Sequence, residues 1–295
     1  MSLNLRGVGA ALITPFNEDL SIDFDGLRKL ITYVSENDTD YLVVNGTTGE
    51  SATTTSAEKL SLLKFVKENN PSNLPIVYGI GGNNTAEVVD RIKNTDFDGV
   101  MAILSVCPYY NKPSQAGLIA HFTAIADACP VPVIIYNVPG RTVTSIAVST
   151  ALELAKHPNI VALKDATSSL EQAMELVKKA PADFILLSGD DNLVTPQISL
   201  GYQGVISVIA NGFPKEFAQM THAALNGDFK TAAALQCRFL DFDTLLYVES
   251  NPVGIKKVCE IRGLSHGRVR LPLVEATPEL GEKLKAAMKA EGFLD

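Results

Sequence analysis

Ile160-Val-Ala-Leu-Lys164 is a short apolar run that ends in a lysine. Such runs are typical of strands that are buried on both faces of a parallel sheet. Similar runs recur along the chain, and segments with helical periodicity separate them, as expected for repeated βα units. The eight predicted strands are Val8–Ile13, Tyr41–Asn45, Ile76–Ile80, Gly99–Leu104, Val133–Tyr136, Ile160–Lys164, Phe184–Ser188 and Gly204–Ser207.

The segments between the strands begin with residues that favour helix N-caps. The candidate caps are Asp23, Ser56, Asn84, Ser114, Ser145, Ser168 and Asp191, and a further helix is expected after Pro214. Eight βα units at this spacing favour a closed (β/α)8 barrel, known as a TIM barrel, over an open doubly wound sheet. The pattern alone still permits the open sheet.

Beyond Asn226 the strand pattern ends and the chain becomes helical in character. Three amphipathic helices are predicted, at Asp228–Tyr247, Pro252–Arg262 and Pro278–Glu291. No low-complexity linker precedes them. We therefore expect a catalytic barrel over residues 1–225 and a C-terminal helical extension over residues 226–295 that packs on it.

Composition narrows the class of protein. The chain has 295 residues, 46% of them hydrophobic, and a formal net charge of −8 with dispersed basic residues, which argues against nucleic acid or an anionic membrane as partner. No apolar run reaches the roughly 20 residues that a membrane-spanning helix needs. The cysteines, Cys107, Cys129, Cys237 and Cys259, show no C-x-x-C spacing, so we expect a cytoplasmic protein.

In barrels of this kind the active site lies at the C-terminal ends of the strands. The residues at or just after those ends include Thr47, Thr48, Tyr109, Tyr110, Tyr136, Lys164, Gly189 and Ile206. Polar and reactive side chains therefore gather where a catalytic site is expected.

Lys164 is the predicted nucleophile. Its ammonium group should emerge from an apolar strand into the mouth of the barrel, where desolvation lowers the pKa of a lysine. A neutral amine can attack a ketone, and the resulting protonated imine acts as an electron sink, as in class I aldolases. The alternative is a solvated lysine that pairs with its neighbour Asp165, which the position at a buried strand's end disfavours.

Hydroxyl groups and a guanidinium accompany this lysine. Tyr136 ends the preceding strand, and Thr47 with Tyr110 could complete a proton relay from it, although each alone would be read as a core aromatic or a capping hydroxyl. Arg141 could bind a second substrate's carboxylate, and on spacing alone a salt bridge that fixes its loop is nearly as well supported. The glycine-rich loop of residues 46–51 could direct backbone N–H groups at an anion.

Two other motifs predict no further site. Gly79-Ile-Gly-Gly82 lacks the helix and acidic residue of a dinucleotide fingerprint and is interpreted as a tight turn. Asp190 and Asp191 have no histidine nearby, and helix capping by Asp191 accounts for the pair. We therefore expect neither a metal nor an organic cofactor.

Taken together, the motifs resemble those of the dihydrodipicolinate synthases, within the wider N-acetylneuraminate lyase superfamily of Schiff-base barrel enzymes. The similarity runs nearly end to end. The motifs that carry it are Gly46-Thr-Thr-Gly-Glu-Ser51, Pro108-Tyr-Tyr-Asn111, Tyr136-Asn-Val-Pro139 with Arg141, Lys164-Asp-Ala-Thr167, and Ser188-Gly-Asp-Asp191 with Gly204-Val-Ile-Ser207.

The resemblance implies a lyase in which Lys164 binds pyruvate and Thr48 holds the pyruvate carboxylate. It also implies a relay of Tyr136, Thr47 and Tyr110, with Tyr110 donated by a neighbouring subunit of a homotetramer built from dimers. Gly189 and Ile206 are further candidate substrate contacts. The second substrate would be L-aspartate 4-semialdehyde, with its carboxylate on Arg141, in the diaminopimelate route to lysine.

Feedback inhibition by L-lysine in such enzymes involves a subunit interface. The matching positions here are Ser51, Ala52, Asn83, Glu87 and Tyr109. However, Ser56 and Lys59 stand where feedback-sensitive bacterial members carry histidines, and Lys59 adds a positive charge beside a cationic ligand. We therefore expect weak or absent inhibition.

Two other functions compete with this one. The chain could be a retro-aldolase that cleaves N-acetylneuraminate or a keto-deoxy sugar acid to pyruvate, although Arg141 and Tyr110 favour the synthase. It could instead be a catalytically silent barrel that senses sugar acids, which the intact set of Lys164, Tyr136 and Thr47 disfavours.

Overall fold

Parallel strands follow one another around a closed sheet in the computed structural model, which describes residues 3–294. They are β1 (Gly7–Ala11), β2 (Tyr41–Val44), β3 (Ile76–Gly79), β4 (Ala102–Val106), β5 (Val133–Asn137), β6 (Ile160–Asp165), β7 (Ile185–Ser188) and β8 (Gly204–Ser207). Each strand pairs with its neighbours in chain order, and β8 pairs with β1. The predicted (β/α)8 barrel is confirmed, and the open sheet is wrong.

Helices alternate with the strands and then continue beyond the barrel. They are α1 (Phe24–Ser35), α2 (Ser56–Glu68), α3 (Thr85–Lys93), α4 (Gln115–Ala128), α5 (Pro139–Thr142), α6 (Val148–Leu154), α7 (Leu170–Lys179), α8 (Val194–Leu200), α9 (Pro214–Leu225), α10 (Phe229–Tyr247), α11 (Val253–Ile261) and α12 (Pro278–Ala290). Among the described residues, no helix is both long and apolar enough to cross a membrane.

The largest error in the predicted strands is at the start of β4. The prediction began this strand at Gly99, whereas the ladder begins at Ala102. Gly99 has a φ of +69°, and the N–H of Val100 donates to the carbonyl of Phe97, so these residues form a turn. A glycine adopts this left-handed conformation at little cost, and an extended strand cannot include it.

Three of the predicted helix caps are confirmed, because the side chains of Asp23, Asn84 and Ser114 accept hydrogen bonds from backbone N–H groups of the first helical turn. Ser56 is wrong as a cap by one residue. Thr55 caps α2 and forms a reciprocal capping box with Glu58, which satisfies two backbone donors at once.

The other two serine caps are also wrong. Ser169 rather than Ser168 caps α7, and Ser168 instead adopts a positive φ of 56° in the preceding turn. Ser145 lies outside α6, which begins after Ala147 without a side-chain cap. A short helix that the sequence pattern does not predict, α5, occupies part of that connection.

The core has two layers. The interior of the barrel is filled by one apolar cluster, to which Ala162 of β6 and Ile134 of β5 contribute. A second, larger cluster lies between the strands and the surrounding helices and includes Leu163 of β6. Since side chains of a strand alternate between its faces, Lys164 shares the interior face with Ala162.

The C-terminal helices agree with the prediction to within one residue at each end. Helix α10 packs against α8, α9 and α12. Deeper contacts tie the extension to the loop after β2, where Lys256 of α11 forms an ion pair with Glu50 and both side chains are buried. The division at residue 225 stays a prediction.

Candidate active site

Lys164 lies at the mouth of the barrel on β6, in register with Tyr136 of β5 and Leu187 of β7. Its side chain is buried, with 6% exposed, and its Nζ atom lies 4.1 Å from the centroid of the Tyr136 ring. It lines a cavity of about 300 Å³. A reactive amine therefore faces a partly open space that is large enough for a small substrate.

The amine is poised to lose its proton. Burial lowers the pKa of Lys164 to about 8; the charge of Arg141 acts in the same direction and that of Asp191 opposes it. The alternative pairing with Asp165 is wrong, because that carboxylate accepts hydrogen bonds from Thr167 and Tyr202. A substantial fraction of the lysine is thus neutral near physiological pH.

Tyr136 and Thr47 lie beside this amine, and both line the cavity. Burial raises the pKa of the Tyr136 hydroxyl to about 12, while the Arg141 charge and the Thr47 hydroxyl act against that shift. The phenol therefore keeps its proton and can donate it. Thr47 provides a second hydroxyl through which a proton can pass.

The two residues that are predicted to bind substrate carboxylates, Thr48 and Arg141, also line the cavity. Thr48 is buried, and its Oγ1 accepts a hydrogen bond of 3.2 Å from Nδ2 of Asn251. Arg141 lies on α5, where its Nη2 donates to the carbonyl of Asn251 at 3.3 Å. Among residues 3–294 the structure records no ion pair for Arg141, so the loop-fixing salt bridge is not observed and the guanidinium faces the cavity.

Gly189 and Ile206, the other two predicted substrate contacts, also line the cavity. A Cβ atom on Gly189 would lie 3.0 Å from Cε of Lys164 and 2.9 Å from Cβ of Ala166. Any larger side chain would therefore displace the lysine. Ile206 is buried on the neighbouring strand β8 and adds an apolar surface to the cavity.

Tyr110 is the predicted residue that a single chain does not bring to the site. Its side chain is 89% exposed and does not line the cavity, and its φ is +73°. The loop around it is ordered, since Asn83 donates to the carbonyl of Tyr109 and accepts from the side chain of Asn111. The aromatic ring is held away from its own barrel.

A second cavity, of about 840 Å³, adjoins the first and shares Thr47, Tyr136 and Arg141 with it. It is lined by all five candidate regulatory residues and by the two residues that stand where feedback-sensitive members carry histidines. These residues are Ser51, Ala52, Asn83, Glu87, Tyr109, Ser56 and Lys59.

The prediction for Asp191 is wrong. Asp190 caps the turn after β7. The buried Asp191 carboxylate instead accepts hydrogen bonds from the N–H groups of Val208 and Ile209, after β8. Its role is to join two strand ends rather than to begin a helix.

Sequence reasoning also missed the side chains that the extension contributes. Asp243 and Tyr247 of α10 and Asn251, just beyond it, all line the cavity of Lys164. The one signal in the sequence is a buried acidic position on a helix face that is otherwise apolar, formed by Phe239, Phe242 and Leu246.

The chain is similar to known proteins of a single family. Residues 4–291 match the model of the dihydrodipicolinate synthetase family. The chain is 49% identical over 281 residues to the 4-hydroxy-tetrahydrodipicolinate synthase of Cytophaga hutchinsonii, covering 95% of each chain. It superposes on the crystal structure of dihydrodipicolinate synthase from Aquifex aeolicus with a TM-score of 0.94, 39% identity and 98% of each chain covered. A crystal structure of the enzyme from Cyanidioschyzon merolae with lysine bound gives a TM-score of 0.93 and 38% identity, covering 98% of this chain and 99% of the other. The chain belongs to the dihydrodipicolinate synthetase family.

Proposed function

We propose that the chain is a 4-hydroxy-tetrahydrodipicolinate synthase, a lyase that condenses pyruvate with L-aspartate 4-semialdehyde. The buried amine of Lys164, which lines a cavity beside Tyr136, carries the proposal. Relatives of nearly equal length that bear this name support it. A cytoplasmic location is part of the proposal, and the four free cysteines are consistent with it.

In the first half of the reaction, the neutral amine of Lys164 attacks the ketone carbon of pyruvate, and water leaves as the protonated imine forms. Thr48 holds the pyruvate carboxylate. The methyl carbon then loses a proton to give an enamine, because the imine nitrogen accepts the electron pair. Tyr136 transfers protons in these steps, with Thr47 as the next hydroxyl in the relay.

In the second half, the enamine carbon attacks the aldehyde of the second substrate and forms the new carbon–carbon bond, which restores the imine on Lys164. The amino group of that substrate, once it has lost its proton, then attacks the imine carbon, which closes the ring of the product and releases the amine of Lys164. Tyr136 can protonate the oxygen that becomes a hydroxyl, since burial keeps this phenol neutral. Arg141 orients the substrate through its carboxylate, which supports an aldehyde that carries an acid group.

Trapping tests the proposal directly. The protein is incubated with pyruvate and borohydride, which reduces the imine, and the modified residue is located by mass spectrometry after digestion. A pyruvyl adduct on Lys164 is expected. Turnover is then compared with L-aspartate 4-semialdehyde, N-acetylneuraminate and keto-deoxy sugar acids, and preferential cleavage of a sugar acid would assign the chain to the lyase branch.

We further propose that Tyr110 completes the relay of a partner subunit, within a homotetramer built from dimers. The exposed ring on an ordered loop supports this assignment. The Tyr110→Phe variant should lose most turnover while still trapping pyruvate on Lys164, because only the hydroxyl is removed. Steady-state kinetics and borohydride trapping measure the two effects.

Mixing provides the control. The variants Tyr110→Phe and Lys164→Ala are unfolded and refolded together in equal amounts. Hybrid dimers then contain one site with both groups intact, so about a quarter of the sites should be active if chains exchange at random. Two variants that stay inactive after mixing would contradict a Tyr110 shared between subunits.

We propose that L-lysine inhibits this enzyme weakly or not at all. Lys59 lines the second cavity half-buried, and burial together with the charge of Arg91 lowers its pKa. A bound L-lysine would bring another cation into the second cavity, where the positive charges of Lys59 and Arg91 would repel it. Half-inhibition at sub-millimolar lysine would contradict the prediction, and the paired substitutions Ser56→His and Lys59→His should increase inhibition in the same assay.

A further inference from the structure

A carboxyl group of the extension lies in the cavity of Lys164 without a cation. Asp243 on α10 is 5% exposed and lines this cavity. Its Oδ2 accepts a hydrogen bond of 2.7 Å from Nδ2 of Asn192, whereas its Oδ1 has no hydrogen-bond partner among residues 3–294. A buried carboxyl group is costly to leave without a partner, so this oxygen is available to a ligand that enters the cavity.

Two other acidic residues lie near, and both are engaged by the protein. Asp190 also lines the cavity, but one of its oxygens accepts from the hydroxyl of Ser168 and the other from the N–H of Asn192. Asp191 accepts from two backbone N–H groups after β8 through its Oδ2, and although its Oδ1 also lacks a partner among residues 3–294, Asp191 does not line this cavity. Among the described residues that line the cavity, Asp243 is therefore the carboxyl group that retains an unpartnered oxygen.

The cavity carries a basic and an acidic side chain on separate elements. Arg141 enters it from α5 and Asp243 enters it from α10. Tyr247 lines the same space, and both side chains act on the pKa of its hydroxyl, which Asp243 raises and Arg141 lowers. An amino acid carries a carboxylate and an ammonium on one carbon atom, and these two side chains offer a partner to each.

We propose that Asp243 binds the α-ammonium group of the second substrate and thereby selects an amino-acid aldehyde over an aldehyde without an amino group. This inference rests on the proposed function, in which Arg141 holds the carboxylate of the same molecule. Asp243 is then a substrate-binding residue supplied by the extension rather than by the barrel.

The protonation of Asp243 fits this role. Burial raises the pKa of its carboxyl group to about 8, and the charges of Asp191 and Asp190 add to the shift. Without substrate the carboxyl group holds its proton near neutral pH. A neutral carboxyl group without a cation costs less free energy to bury than a carboxylate does. An arriving ammonium favours the ionised form, so the carboxylate and the substrate cation form as a pair.

The Asp243→Asn variant tests the inference, because it removes the charge and keeps the shape. Its KM for L-aspartate 4-semialdehyde should rise by about tenfold or more, as expected for the loss of a charged hydrogen bond. The KM for pyruvate and the trapping of pyruvate on Lys164 should not change. Inhibition by succinate semialdehyde, which is the same aldehyde without the amino group, should also stay as in the wild type.

The matched control is Asp241→Asn, an exposed carboxylate on the same helix, which should leave all four measurements unchanged. An equal loss with both aldehydes would overturn the inference and leave Asp243 a purely structural role. An unchanged KM for L-aspartate 4-semialdehyde would overturn it as well. Failure of the proposed function would give a different result. The wild-type protein itself would then trap pyruvate but form no product with L-aspartate 4-semialdehyde.

Discussion

Lys164→Ala is expected to abolish trapping of pyruvate and to lower kcat by roughly 10³-fold or more, because no other group can form the imine. In the wild-type protein, the rate of imine formation should rise with pH through about 8, as the amine loses its proton. Rapid-mixing measurements of trapping between pH 6 and pH 9, a range of roughly one to two units around that pKa, would record this profile.

Lys164→Arg is the control for charge. The guanidinium preserves the positive charge at the mouth of the barrel but stays protonated and cannot act as a nucleophile. It should be as inactive as the alanine variant. Substantial turnover in either variant, or an adduct on another lysine, would show that the nucleophile has been misassigned.

Lys256→Met is expected to destabilise the protein by roughly 3–5 kcal/mol, because it leaves the carboxylate of Glu50 buried without its cation. The ammonium of Lys256 also donates to the carbonyl of Arg268 at 2.7 Å and lies 4.1 Å from the centroid of the Phe16 ring. Chemical denaturation would measure the loss. The KM for pyruvate should rise too, since Glu50 belongs to the loop that carries Thr48.

The neighbouring Lys257 supplies a matched control. Its ion pair with Glu260 is partly exposed, and such pairs contribute about 0–1 kcal/mol, so Lys257→Met should have a small effect. The double variant Lys256→Met with Glu50→Gln should recover part of the stability, because it removes the unpaired charge. Equal destabilisation by the two lysine variants would contradict the assigned role of the buried pair.

The barrel and the position of the candidate nucleophile could be predicted from the sequence because they depend on local patterns. Apolar runs such as Ile160–Lys164 define strands directly, and alternation along β6 places Lys164 on the same face as Ala162. The exact capping residue of a helix is harder to predict, because adjacent residues such as Thr55 and Ser56 offer similar hydroxyl groups. The reciprocal bond of Thr55 with Glu58 decides between them.

The rest of the site depends on contacts between distant parts of the chain. Asn251 donates to Thr48 across 203 positions, and no local pattern indicates such a pair. Asp243 resembles any polar residue of an amphipathic helix until α10 is packed over the barrel. The side chain of Tyr110 lies outside the cavity of its own chain, and its proposed partner groups belong to another subunit.

The buried link between Lys256 and Glu50 has a consequence for synthesis in the cell. Strands β1 to β8 all precede Asp243, Asn251 and Lys256 in the chain, so a nascent polypeptide can form its barrel while the ribosome is still adding these residues. Until they emerge, the carboxylate of Glu50 has no cation and Thr48 has no amide partner. We therefore expect catalytic competence to be gained late in translation, which would limit the time during which an unfinished chain could react with keto acids.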